Sequence, residues 1–501
     1  MTLRQFLFTL ATLFGTALPS HAETKPNIVI ILADDFGWGD ASCNNSEAVT
    51  KTPHIDRLAH EGARFTNAHT PHAVCTPTRC SLLTGRYCWR TELREGVLPA
   101  YGKSLIRPGR VTIASLLQDQ GYRTGVFGKW HLGLDWVPVV GDPGDWHWGT
   151  QIWVKSQEAI AVVTARIDHT APVTVGPTHL GFDTAFITPS NCTRVPVFIR
   201  NELVIGTPAL DAQGMMRDPA VERDSVDDFH VKECLAFLSD WKKHHAGDPF
   251  FIYLPLNAIH DATRAPKRFK GTSKDGRRGD QIPWLDESVG KVTAALEQHG
   301  ILDDTLIFFS SDNGPISPGR YLPDTTHRAA GPYRGYKSDT WDGGCRVPLL
   351  ARWPKKIEAR RVSDGLISLT DILPTLAALT GKELPKWAAE DGFNQLPLLF
   401  GETDASARED LITQSSIGAI AIRKGAWKLI LGTKGSGGPK TPDAAPLIVT
   451  QPWRFDQPIS GQLYHIAEDP YETEDLYEAQ PDKVEELQNL LVDRIALGRS
   501  R

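Results

Sequence analysis

Beyond its first two dozen residues the chain lacks any apolar run approaching the roughly 20 residues that a membrane-spanning helix needs, so the mature part is expected to have no membrane partner. It also lacks an excess of basic charge. Lys and Arg number 54 against 60 Asp and Glu, and the net charge of −6 excludes a general attraction for nucleic acid or anionic lipid. An anionic substrate would therefore have to be held by a local positive field. Low-complexity tracts are absent too, and 41% hydrophobic with 23% charged residues is ordinary for a folded protein. At 501 residues the chain is long enough for more than one domain.

The one early apolar stretch has another reading. Met1-Thr2-Leu3-Arg4 precedes an apolar run from Phe6 to Leu18, then Ser20-His21-Ala22 and the charged Glu23. This is the pattern of a secretory signal over residues 1–22, with cleavage expected after Ala22 and delivery to the periplasm or the exterior. The run is too short for an anchor. Seven cysteines (Cys43, Cys75, Cys80, Cys88, Cys192, Cys234 and Cys345) leave at least one unpaired in an exported chain. Pairing among the others is open.

Four runs, Asn27 to Leu32, Tyr122 to Phe127, Phe250 to Leu256 and Leu306 to Ser310, are apolar throughout, as strands buried on both faces of a parallel sheet must be. Helical patterns such as Ile113 to Gln118, Val226 to Trp241 and Leu285 to Leu296 alternate with them, which predicts a doubly wound, mostly parallel α/β sheet with helices on both faces. After residue 400 the pattern changes to antiparallel pieces, Ile417 to Ile422, Trp427 to Leu431 and Gln462 to Ile466, closed by a helix from Pro481 to Leu497. This reads as a main domain over 23–400 and a smaller α+β subdomain over 401–501. Gly432 to Ala445 reads as an exposed loop.

The residues after the four strands are Ala33-Asp34-Asp35, Gly128-Lys129-Trp130-His131, Asn257-Ala258-Ile259-His260 and Ser311-Asp312-Asn313-Gly314. In an open α/β sheet such carboxyl ends form the ligand crevice. Asp34, Asp35, Asp312 and Asn313 offer only oxygen ligands, which suits a hard cation such as Ca²⁺ better than Zn²⁺. Either pair alone reads equally well as turn chemistry. Val74-Cys75-Thr76-Pro77-Thr78-Arg79 through Gly85-Arg86 reads as a helix whose amino end favours an oxyanion, with Pro77 in the first turn, Leu82 and Leu83 toward the core and Gly85 ending it.

Cys75-x-Pro77-x-Arg79, together with Asn27 to Asp40, Gly128 to Gly133, Leu180 to Asp183, Ser311 to Gly314, Arg334 to Pro348 and Asp371 to Thr375, resembles the formylglycine-dependent sulfatases of the alkaline phosphatase superfamily, in family order over nearly the whole mature chain. The resemblance implies that a separate formylglycine-generating enzyme oxidises Cys75, directed by Pro77 and Arg79. It implies that one hydroxyl of the hydrated aldehyde attacks sulfur to give a covalent sulfated intermediate, and that the other, on losing its proton, expels sulfate. Asp34, Asp35, Asp312, Asn313 and modified Cys75 would hold Ca²⁺. Arg79 and His131 would contact the diol, Lys129 and Lys337 the sulfate oxygens, and a protonated His260 would be the general acid. Thr78 stands where the family usually has Ser, Asp342 where Glu is commoner, and Asp261-Ala262 follow His260 without the usual early Pro.

Substrate choice is expected in 135–178, 189–217, 261–281 and 315–333, which carry Trp136, Trp146, Trp148, Trp153, Arg264, Lys267, Arg268, Arg320 and His327. With secretion these suggest a sulfated sugar, for which His179, Arg200 or His327 are candidate contacts. The competing readings are a phosphate or phosphonate ester hydrolase on the same scaffold and an inactive secreted glycan-binding protein.

Overall fold

The computed structural model describes residues 25–139, 157–317, 327–433, 435–438 and 460–501. The signal reading at 1–22 lies outside them, as do Trp146, Trp148, Trp153 and Arg320. Ten strands form the main sheet: β1 (Asn27–Ala33), β2 (Ala63–Phe65), β3 (Arg123–Lys129), β4 (Thr184–Thr188), β5 (Phe198–Arg200), β6 (Leu203–Ile205), β7 (Phe250–Pro255), β8 (Thr305–Ser311), β9 (Leu349–Arg352) and β10 (Arg361–Ser363). Their order is β10-β2-β9-β8-β1-β7-β3-β4-β5-β6. The central run from β8 to β4 is parallel, and antiparallel pairs flank it on both sides.

The reason for unbroken apolar strands is visible in β1. Ile28, Ile30 and Leu32 enter one core and Val29, Ile31 and Ala33 the other, because side chains alternate across a strand. The first core is closed by α2 (Cys75–Thr84) through Leu82 and Leu83, by α3 (Ile113–Gln118) and by α6 (Ile372–Leu379). Facing the other side are α1 (Pro53–His60), α4 (Val226–His244) and α5 (Ile282–Gln298). The sheet is thus covered on both faces, as a parallel sheet requires.

Helix ends follow local chemistry. Gly85 caps α2 in the left-handed region at φ +63°, where a side chain would also meet Ala389. At the start of α3, Thr112 accepts a hydrogen bond from the Ser115 amide at 3.0 Å and donates to the Leu180 carbonyl at 2.7 Å. Thr112→Ala is expected to cost about 1–2 kcal/mol as a lost cap, read as a lower urea midpoint with activity retained.

A second sheet is antiparallel, in the order β11 (Asp410–Gln414), β12 (Ile420–Lys424), β13 (Trp427–Leu431) and β14 (Gly461–His465). It packs Ile412, Ile422 and Leu429 against Leu487 and Leu491 of α7 (Pro481–Ala496) and against Tyr87 and Trp89 from just beyond α2. Strand β11 was not apparent from the sequence pattern. The loop expected to be exposed from Gly432 is not so in its described part. Thr433, Gly437 and Gly438 are buried, and the Thr433 and Gly435 carbonyls accept from the Gln462 amide. Glycines here allow close packing rather than solvation.

Candidate active site

The four strands that precede the chemistry-bearing residues are neighbours in the order β8-β1-β7-β3 and all run parallel. Their carboxyl ends therefore bring Asp312 and Asn313, Asp34 and Asp35, His260, and Lys129 with His131 to one edge. The edge turns sharply: Asp35 and His131 adopt positive φ values of 61° and 55°, which non-glycine residues take only where surrounding structure holds them. Lys337 reaches the same place from a Gly-rich loop, its ammonium 2.5 Å from Asp35 Oδ1.

Helix α2 presents Cys75 at its amino end, preceded by Val74 in extended conformation. The Cys75 sulfur lies 3.2 Å from His131 Nδ1, and His131 Nε2 lies 3.0 Å from the Leu98 carbonyl. A carbonyl only accepts, so Nε2 carries the ring hydrogen and Nδ1 offers its lone pair to residue 75. Burial, with Lys129 and Arg79, holds the ring far below the usual histidine range and thus neutral. Burial likewise raises the Cys75 thiol. All seven cysteines are free thiols.

Arg79 has partners other than those expected. Its guanidinium donates to Asp312 Oδ2 at 2.8 and 2.9 Å, to Asp34 Oδ2 at 3.1 Å and to the Lys129 carbonyl at 2.7 Å. It binds the carboxylates together and makes no hydrogen bond to Cys75. Lys129 Nζ sits 2.5 Å from Asp34 Oδ2. Three carboxylates, Asp34, Asp35 and Asp312, thus face three cations, Arg79, Lys129 and Lys337, all deep in the protein.

The individual carboxylates differ. Burial pushes Asp34 up, but Lys129, His260, Arg79 and Lys337 outweigh it and hold it below the carboxylate range. Asp35 is pushed up to about 7 by burial, aided by Asp34 and Asp312 and opposed by Lys337. Burial and Asp34 raise Asp312. Such crowding calls for further positive charge.

Where that charge would sit is indicated by unmet hydrogen-bonding capacity. Asp34 Oδ1, Asp35 Oδ2 and Asn313 Oδ1 are buried oxygens without a hydrogen-bond partner. Buried oxygens are rarely left so unless an ion or water satisfies them. Oxygens of Asp34 and Asp35 and a ring nitrogen of His260 all lie within 4.8 Å of one another. An all-oxygen set with this much negative charge fits Ca²⁺ or a similar hard cation.

His260 is oriented by the chain that follows it. Its Nδ1 accepts from the Ala262 amide at 3.0 Å, which leaves the hydrogen on Nε2, 3.8 Å from Asp35 Oδ2. Burial and then Lys337 push the imidazole down to about 3, against the raising influence of Asp34 and Asp261. The ring is neutral by itself and presents an N–H donor to the site.

Two supporting residues escaped the sequence reading. Asp227, at the start of α4, accepts from the backbone amides of Asn257 and Ala258 and so positions the loop that carries His260. Arg278 donates to the Asp35 carbonyl and is ion-paired with Asp40, which His327 also contacts at 2.7 Å. Asp227 looked like an ordinary first-turn acid, and Arg278 lay in a stretch read as substrate-facing. His327, expected to contact substrate, is instead 4% exposed and engaged with Asp40. Trp136 is buried, Arg200 pairs with Glu233 of α4, and Arg268 pairs with Asp228 and Glu287. Trp136 serves packing, while Arg200 and Arg268 are exposed and held in surface ion pairs.

A nucleophile-sized side chain at a helix amino end, beside clustered carboxylates and buried cations at the carboxyl edge of a parallel sheet, defines a hydrolase of tetrahedral oxyanion esters. The sulfatase family profile matches residues 26–382. An N-acetylgalactosamine-6-O-sulfatase of Bacteroides thetaiotaomicron is 33% identical over 93% of this chain and 92% of its own length. Bovine arylsulfatase A is 32% identical over 94% and 86%. A solved sulfatase structure from the glycosaminoglycan metabolism of Bacteroides thetaiotaomicron superposes with a TM-score of 0.78 at 31% identity, covering 94% of this chain and 99% of that one. The chain belongs to the sulfatase family and is a sulfuric ester hydrolase. No helix among the described residues is long and apolar enough to cross a membrane.

Proposed function

We propose that this sulfatase is an exported enzyme that removes sulfate from carbohydrate esters, with formylglycine made from Cys75 as its nucleophile and Ca²⁺ held by Asp34, Asp35, Asp312, Asn313 and residue 75. The observation that carries the proposal is the set of three orphaned oxygens beside residue 75. The carbohydrate class rests on likeness to the N-acetylgalactosamine-6-O-sulfatase. Hydrated formylglycine supplies one hydroxyl to attack sulfur and a second whose deprotonation releases sulfate. The cation, when bound, supplies positive charge to a sulfate oxygen and to the attacking hydroxyl.

The chain's own residues do the rest. Without a cation the three carboxylates and three basic side chains balance, and a monoanionic ester gains no net attraction. With a divalent ion the pocket becomes positive, against the sign of the whole chain. The His131 lone pair on Nδ1, 3.2 Å from the side-chain atom of residue 75 where the sulfur stands for an oxygen, is placed to take the diol proton. Lys129 and Lys337 flank Asp34 and Asp35 and offer N–H groups to sulfate oxygens. His260 Nε2–H donates toward the leaving oxygen, and the negative charge of the ester opposes the burial and the Lys337 field that keep the ring neutral. Arg79 fixes Asp34 and Asp312.

Cys75 is 3% exposed, Arg79 is fully buried and Pro77 between them is buried too. A maturing enzyme could not reach them in the folded protein, so oxidation at Cys75 must precede folding. Mass spectrometry of the Cys75 peptide after coexpression with a formylglycine-generating enzyme should show the aldehyde; cysteine alone would favour an inactive glycan-binding protein. Matured enzyme should release sulfate from defined mono- and disaccharide sulfates and turn over an aryl sulfate faster than the matching phosphate or phosphonate. Preference for the phosphonate would reject the sulfatase assignment of the site, and silence on the glycan panel would reject the carbohydrate class alone. Chelation should lower turnover by roughly 100-fold, with recovery on adding Ca²⁺. Full activity in excess chelator would dismiss the metal reading.

A further inference from the structure

Outside the buried cluster, a concentration of cationic side chains lines a cavity along α2. A cavity of about 310 Å³ is lined by Arg86, Arg90, Arg94, Arg107 and Arg110, with Glu92 as the one acidic side chain in its wall. Cys80 and Thr84 of α2, Thr91, Leu105 and Ile106 complete the lining. None of the residues assigned to turnover line it. Cys80 lies five positions after Cys75, roughly 7.5 Å further along the helix axis.

We propose that this cavity is a second oxyanion-binding site, which takes a sulfate or phosphate group, either free or borne on a single sugar ring. Five arginines line one cavity in a chain whose net charge is −6, so the concentration runs against the composition. Apart from Glu92, the carboxylates that oppose them stand outside the lining. Asp391 holds Arg90 through two bonds of 2.9 Å, and Glu390 serves both Arg110 at 2.9 Å and Arg86 at 3.3 Å. Arg86 Nε is buried, and Glu390 meets it as an ion pair without hydrogen-bond geometry. Arg107 keeps 3.7 Å from Asp135, and Arg94 donates to the Trp89 carbonyl. Arg94 and Arg107 are solvent-exposed at the mouth. Arg94 is held below its usual range by burial and by Arg86, a repulsion that a bound anion would relieve.

Guanidinium forks bind tetrahedral oxyanions in bidentate fashion, which a ring of lysines would not. The volume is at the low end of the roughly 300–1,000 Å³ typical of small-molecule sites and exceeds the need of a bare oxyanion. Leu105 and Ile106 supply an apolar wall on which a sugar ring can rest.

The test is calorimetric titration of the full-length protein with inorganic sulfate at low ionic strength, alongside a monosaccharide sulfate carrying a non-hydrolysable linkage. Wild type should show a binding event that Arg94→Ala/Arg107→Ala weakens by roughly tenfold or more, while kcat/KM on an aryl sulfate stays within about twofold. Arg94→Lys/Arg107→Lys keeps the charge without the fork; it should weaken binding by a smaller factor, and it replaces the alanine variant if that fails to fold. Tighter binding of the sugar sulfate identifies the borne group as the ligand, and equal or weaker binding identifies the free anion. Isotherms of the variants that superimpose on wild type for both ligands, or binding by neither ligand outside the catalytic pocket, overturn the proposal.

Discussion

Cys75→Ala is expected to reduce sulfate ester hydrolysis by a factor on the order of 10⁴ to 10⁶, the scale of losing a nucleophile outright. The size follows from the geometry. Residue 75 alone occupies the amino end of α2 within 3.2 Å of the His131 lone pair, and a methyl group there leaves His131 with no proton to take. Water could enter, but it would not be tethered, and the advantage of positioning would be lost. The fold should persist, since alanine is smaller than cysteine and favours helix. Steady-state turnover of an aryl sulfate, with circular dichroism as a control, is the measurement. A rate within tenfold of wild type, measured on protein free of wild-type contamination, would mean that another group attacks sulfur.

The second large effect belongs to Arg79→Ala. Asp34 and Asp312 are fully buried, and Arg79 ties them together with three hydrogen bonds. Burial opposes charge on the guanidinium, yet the two carboxylates outweigh it and keep it charged. Removing it leaves three buried carboxylates with two cations, and about 3–5 kcal/mol of stability should be lost. The loss should be smaller in saturating Ca²⁺ than in chelator, because an ion bound only by the folded state shifts the unfolding equilibrium. Denaturation in both conditions measures this. A loss under about 1 kcal/mol in chelator would show that the carboxylates do not depend on Arg79. Arg79→Lys should fall between, since a single ammonium cannot reach both carboxylates and the Lys129 carbonyl.

Legibility varied with the range of the forces involved. The strands Asn27–Ala33 and Phe250–Pro255 were evident because burial on both faces demands continuous apolar residues. Helix α3 runs over the residues its pattern predicted, and Gly85 ends α2. Edge strands such as Leu203–Ile205 left no such trace, being short and partly exposed. Most site residues could be named because they follow a strand or sit in Cys75-x-Pro77-x-Arg79, and Lys337, in a Gly-rich loop, could be named only through the family resemblance. Their partners could not. Arg79 and Asp312 are 233 positions apart, and nothing local announces that the guanidinium grips carboxylates.

The amino-acid sequence by itself determined the kinds of chemistry available and the edge of the sheet where they would gather, because strand and helix periodicity are local properties and the crevice of a parallel sheet follows from them. Only the tertiary structure decided how the charges are spent: that His131 faces residue 75 through a lone pair, that burial and Lys337 disfavour charge on His260, that His327 is buried against Asp40, and that five arginines line one cavity beside α2. These outcomes depend on distances between residues remote in the chain and on burial, which sets the strength of every charge.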